Sequence, residues 1–179
     1  MIKGRNKIHT ITECALFSAL ICVLSPFVIP LGPVPFSLSL FAVMLTATVL
    51  TFKKSFIAVA VYIFAGCVGI PVFSGFQGGF SYLMGPTGGY IWSYLLVCSI
   101  ISLSGKWSLG MRVVSAFVSL AVCYLAGTVQ YMLVTGTYSL YGALLLCVVP
   151  FVAFDIVKLI GALILGTRIR NILIKQNLL

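Results

Sequence analysis

The sequence predicts an all-α integral membrane protein with six transmembrane helices and both termini cytoplasmic. A glycine-rich, re-entrant-like outer loop joins the third helix to the fourth. Three observations predict this. The 179 residues are 61% hydrophobic and 7% charged, whereas a water-soluble domain is about a quarter charged. Long stretches hold almost no charge: Glu13 is alone between Ile8 and Phe52, and Ser55–Gly105 and Val113–Phe154 have none. The cations stand at regular intervals between these stretches. So apolar a chain is neither soluble nor disordered. A β-barrel needs apolar and polar residues to alternate, and these runs are apolar on every side.

A helical span takes about 20 residues. Pro and Gly clusters divide the uncharged stretches into spans at about 8–29, 36–52, 55–70, 88–103, 111–134 and 141–166, a single transmembrane domain over residues 1–179. Lys3, Arg5 and Lys7 precede the first span, as in a signal peptide. No small-residue cleavage site follows, and the run closes in Pro26-Phe-Val-Ile-Pro30, so a retained helix is expected. The second span stops before Lys53-Lys54 and the third at Gly69-Ile-Pro71. The fourth lies between Pro86 and Lys106, the fifth begins beside Arg112, and the sixth ends before Arg168 and Arg170. All these cations then fall on one side, which the positive-inside rule makes cytoplasmic. The opposite loops, 30–35, 71–87 and 135–140, carry no Lys or Arg. The net charge of +9 is therefore read as a topology signal beside anionic lipid. Without a contiguous basic face, nucleic acid is not an expected partner.

The inventory of reactive groups excludes most chemistry. The six cysteines are scattered through predicted spans with no C-x-x-C pair, so they read as small apolar filler. No phosphate-binding G-x-x-x-x-G-K-[ST] is present, and His9 is the lone histidine. Glu13 and Asp155 are the whole supply of carboxylates, too few for an aspartyl dyad or a metal-holding phosphotransferase. No cofactor, metal or catalytic residue is expected. Binding or transport fits what is left.

Two features carry that reading. Asp155 and Lys158 are three residues apart, on one helical face. Asp155 lies about 20 Å along the helix from Arg168. A charge at such depth costs about 3 kcal/mol or more unless paired or hydrated. The pair either locks helices together or forms a polar binding site, and intramembrane ionisable groups favour function. The second feature is Gly69–Tyr90, which holds seven of the seventeen glycines among aromatics. It is too apolar for a solvated loop and too glycine-broken for a helix. Irregular backbone at membrane depth needs protein cover or a cavity. The loop is therefore expected to fold back over the bundle. Its free N–H groups would grip a solute while Phe73, Phe76, Phe80 and Tyr90 cover an apolar ring.

Gly32-Pro-Val-Pro-Phe36, Val68-Gly-Ile-Pro-Val-Phe73, Gly78-Gly79, Gly85-Pro-Thr-Gly-Gly-Tyr90 and Pro150-Phe151 with Asp155 and Lys158 together resemble the BioY family, over nearly the whole chain. Members are biotin-specific substrate-capture (S) components of energy-coupling factor (ECF) transporters. The resemblance implies biotin uptake across the bacterial cytoplasmic membrane by a multi-pass protein that is not an enzyme. It implies partners as well: a membrane coupling subunit and two ATPase subunits. Asp155 would accept the ureido N–H groups of biotin and Lys158 would meet an oxygen. Phe73, Gln77, Gly78, Gly79, Thr87, Gly88, Gly89 and Tyr90 would close over the ligand, with Gln130 and Tyr131 as further candidates. Ala15-x-x-x-Ala19 would be the partner contact, since small residues let helices approach closely. One departure is Phe154, where the family usually has a small residue. The alternatives are an S component for another vitamin or heterocycle, and an assembly subunit with a structural Asp–Lys pair.

Overall fold

The computed structural model describes residues 2–29, 36–136 and 139–176. Residues 32–35 of the Gly32–Phe36 motif lie outside them, as do the side chains of Lys3, Arg5 and Lys106. The described chain is mostly helical. Three stretches are long and apolar enough to cross a membrane: Lys7–Leu24 within α1 (Ile2–Leu24), α6 (Leu109–Thr135) and α8 (Val149–Lys175). The helices α2 (Ser39–Val49), α3 (Phe52–Cys67) and α5 (Gly88–Leu103) are shorter. Two smaller helices, α4 (Phe80–Met84) and α7 (Leu140–Cys147), complete the set.

The elements depart from the expected spans in ways that follow from local chemistry. The first helix begins earlier and stops at Leu24, because Pro26 has no N–H to continue it. Beyond it, β1 (Val28–Ile29) pairs antiparallel with β2 (Phe36–Ser37). That hairpin takes the residues expected to end one span and begin the next. It leaves α2 with eleven residues, ten of them buried. Lys53 and Lys54, expected in a loop, sit in the first turn of α3. Cations are unfavourable at a helix N-terminus, and Lys54 is offset by an ion pair to Glu13 of α1.

The expected span 141–166 is two helices. Val148 leaves helical geometry at φ −124°, ψ −57°, and Pro150 lies in the first turn of α8, where its missing N–H costs nothing. Helix α8 then runs to Lys175 and takes in Arg168 and Arg170. The span at 88–103 coincides with α5.

Helix α2 is the hub, packed against α1, α3, α5 and α8, while α5 also packs along α6. Ile21, Val43, Met44, Leu50, Val97 and Leu159 are fully buried around it. Large apolar side chains also cover the outside: Leu133 is 79% exposed, and Phe64 and Val157 are 70% exposed. Such a surface suits lipid rather than water.

The glycine-rich segment folds over one end of this bundle. A bridge joins Phe73 to Gln77, and α4 follows. Gly69, Gly75 and Gly79 have φ of +106°, +73° and +97°, a left-handed region that side chains rarely adopt.

Candidate functional site

Helix α8 places Asp155 and Lys158 on its inner face. Their side chains are 7% and 9% exposed, and Lys158 Nζ donates to Asp155 Oδ1 at 2.9 Å. The ammonium also donates to the Ser37 carbonyl at 2.6 Å and lies 3.6 Å from the Phe36 ring centroid. On the other side, the Tyr124 hydroxyl of α6 donates to Asp155 Oδ2 at 2.7 Å. Each carboxylate oxygen thus accepts one bond. A carboxylate offers about four acceptor positions, so Asp155 keeps capacity for two more donors. The charges cancel within the pair, which lowers the cost of burying them.

Ser37 and Ser39 hydroxyls are 2.5 Å apart, and Ser39 is 2.6 Å from the Tyr94 hydroxyl of α5. This chain of hydroxyls runs beside the ion pair. Ser37, Tyr94 and the ion pair line a half-open cavity with about 580 Å³ of empty space, mouth included. Its aromatic walls are Phe36, Tyr82, Tyr90, Tyr94, Tyr124 and Phe151, and Ser74 and Thr87 line its loop side. Flat apolar walls with few polar groups are the usual make-up of a small-molecule site.

Of the residues singled out in the sequence, Asp155, Lys158, Thr87 and Tyr90 line this cavity. Tyr90 also donates to the Cys147 carbonyl at 3.2 Å, tying α5 to the end of α7. Phe73 is fully buried in the core, stacked on Tyr82 at 5.5 Å and edge-on to Tyr62 at 5.6 Å. It backs a wall residue and does not line the cavity. Gln77 is exposed.

The glycines mostly serve packing. A Cβ at Gly88 would lie 1.8 Å from the Leu83 carbonyl oxygen, one at Gly89 2.4 Å from that of Ala126, and one at Gly78 2.5 Å from that of Ile70. Many of the loop amides expected to be free are engaged within the protein: Phe73 N–H donates to Gln77 O, Gly75 N–H to Pro26 O, Gly79 N–H to Gly66 O, Gly85 N–H to Tyr82 O and Gly88 N–H to Gly85 O, among others. Gln130 donates to the Leu83 and Gly85 carbonyls, both at 2.8 Å, and so fastens the loop to α6. Tyr131 is buried beside Phe151 and Cys147. Phe154 is half exposed and meets Phe36, the ring that covers Lys158, edge-on at 5.2 Å. Ala15 and Ala19 are exposed on one face of α1.

Sequence reasoning missed Tyr124, Tyr94, Tyr82, Ser37 and Ser39. Tyr94 and Tyr124 carried a usable signal: a phenol in the middle of an uncharged helix needs a hydrogen-bond partner.

Apolar helices around a half-open pocket with a buried ion pair define a class, the small multi-pass membrane proteins built to hold a solute. A family model described as the BioY family matches residues 2–175. The chain therefore belongs to the BioY family, a family of transporters. The biotin transporter BioY of Thermotoga maritima is 37% identical over 166 residues, covering 92% of this chain and 97% of that one. The biotin transporter BioY2 of Lactococcus lactis is 38% identical over 182 residues, covering 96% of each. The fold is similar to that in a crystal structure of the S-component for biotin from an ECF-type ABC transporter. The TM-score is 0.83 with 22% identity, over 93% of each chain.

Proposed function

We propose that the protein captures biotin from outside the cell and, as the S component of an ECF transporter, delivers it inward. The observation that carries this is the cavity, in which Asp155, shared by Lys158 and Tyr124, faces aromatic walls. Family membership supports the same reading. Biotin has a ureido ring with two N–H donors and one C=O acceptor, an apolar thiophane ring and a carboxylate tail. The two acceptor positions left on Asp155 match the ureido N–H groups. Lys158 Nζ is 2.9 Å from Asp155, so it serves the same end of the ligand, at the ureido oxygen. The thiophane ring lies among the tyrosines. Thr87 and Tyr90 close the loop side, with Phe73, Gln77, Gly78, Gly79, Gly88 and Gly89 shaping the loop behind them.

The wider arrangement belongs to this proposal: one transmembrane domain with six spans, both termini inside, in the bacterial cytoplasmic membrane. The partners are a membrane coupling subunit, docked on the Ala15–Ala19 face, and two ATPase subunits that hydrolyse ATP. The chain itself has no P-loop motif.

Equilibrium binding of radiolabelled biotin to the purified protein tests the reading, with a panel of other vitamins as competitors. Binding is expected in the wild type and lost in Asp155→Asn and Lys158→Ala, with biotinamide competing as well as biotin. Normal binding by both variants leaves the pair as a helix lock. Displacement by a different vitamin assigns another solute.

A further inference from the structure

The chain has two carboxylate side chains, and both are engaged: Glu13 with Lys54, and Asp155 with Lys158. No acidic side chain is left for Arg112 and Arg170. Both are half-buried, and they converge where α2 ends, α6 begins and α8 nears its end. Arg112 Nη2 donates to Thr167 Oγ1 of α8 at 2.9 Å, and Arg170 lies one turn further along α8. Arg170 Nη1 approaches the Thr48 carbonyl of α2 at 3.4 Å and lies against Gly105, where a Cβ would be 2.4 Å away. Arg112 is bonded to α8 one turn before Arg170, so the two cations share this corner of the fold.

Each guanidinium has five N–H donors, and the hydrogen bonds described here use one from each. Two partly buried cations that share a corner without a carboxylate partner make it a favourable place for an anion. Planar forks of this kind suit a phosphate better than a lysine would. The surroundings identify its source. Trp107 and Leu109, beside the site, are 52% and 71% exposed, and Trp is enriched at the membrane–water interface. Acyl chains have apolar helix surface to lie on within reach of the arginines.

The geometry points to a binding site for the phosphate of an anionic phospholipid, formed by Arg112 and Arg170 between α2, α6 and α8. It is separate from the solute cavity and does not depend on what that cavity holds.

Native mass spectrometry of the full chain in neutral detergent tests it, with titration by phosphatidylglycerol, phosphatidylcholine and inorganic phosphate. Phosphatidylglycerol adducts should form at concentrations where the other two give none. Arg112→Gln and Arg170→Gln should each weaken them about fivefold. Arg168→Gln, on an exposed neighbour, should leave them unchanged. Gly105→Ala keeps every charge but displaces the Arg170 tip, and should weaken binding too. Arg112→Lys and Arg170→Lys guard against loss of folding, because they keep the charge and should retain more lipid than the Gln variants. Equal adducts with inorganic phosphate overturn the lipid assignment. An equal loss in Arg168→Gln, or none in the two Gln variants, overturns the site.

Discussion

Tyr124 and Lys158 hold Asp155 between them, one on each carboxylate oxygen. A hydrogen bond to a charged acceptor is worth about 1.5–3 kcal/mol. Tyr124→Phe should therefore weaken biotin binding by roughly tenfold or more with helical content unchanged, as equilibrium dialysis and circular dichroism would read. The pair separates binding from stability. Lys158→Met leaves a buried carboxylate without its cation and should cost about 3–5 kcal/mol in unfolding. Adding Asp155→Asn to it should restore most of that stability and none of the binding. A double variant as unstable as the single would mean that the charges do not oppose burial in the way described. Asp155 and Lys158 were legible in the sequence because charge is so scarce there. Tyr124 was legible only as a phenol in need of a partner; that the partner is Asp155 follows from how α6 is rotated against α8.

At the scale of elements, α5 shows what glycine does at a crowded helix start. Gly88 and Gly89 let the first turn sit against the Leu83 and Ala126 carbonyls. A methyl group there must push backbone aside, so Gly88→Ala and Gly89→Ala should each lower stability by about 1–3 kcal/mol. Gly110→Ala meets nothing within 4 Å and should leave the melting temperature equal or higher. Differential scanning fluorimetry in detergent distinguishes the two outcomes. The α5 boundaries could be read because Pro86 and Gly105 flank an unbroken apolar run. The split between α7 and α8 was signalled only by Pro150, which suits a first helical turn, because hydropathy does not change where Val148 departs from helical geometry. The hairpin was hidden for a related reason. Pairing Val28–Ile29 with Phe36–Ser37 is a non-local choice that leaves no periodicity in two-residue strands.

For the molecule as a whole, the proposed topology makes a direct prediction. Cysteines introduced at Lys7 and Lys175 should react with an impermeant maleimide only from the cytoplasmic side, and one at Gln77 only from outside. Labelling of Lys7 and Lys175 positions from opposite sides would end the six-span reading. Charge placement carried that topology in the sequence, whereas the depth and shape of the cavity came only from packing. Below the ion pair, the next turns of the surrounding helices present Met44, Val97, Ala116, Ser119 and Ala162, all buried. Among the described residues they make a packed floor one turn beyond lining residues such as Leu40, Tyr94, Cys123 and Lys158. The cavity is thus backed on that side by packed side chains, a cup rather than a channel among the described residues. Passage to the far side requires the floor to part or the whole cup to be turned over, so net movement of cargo must draw on a shape other than this one.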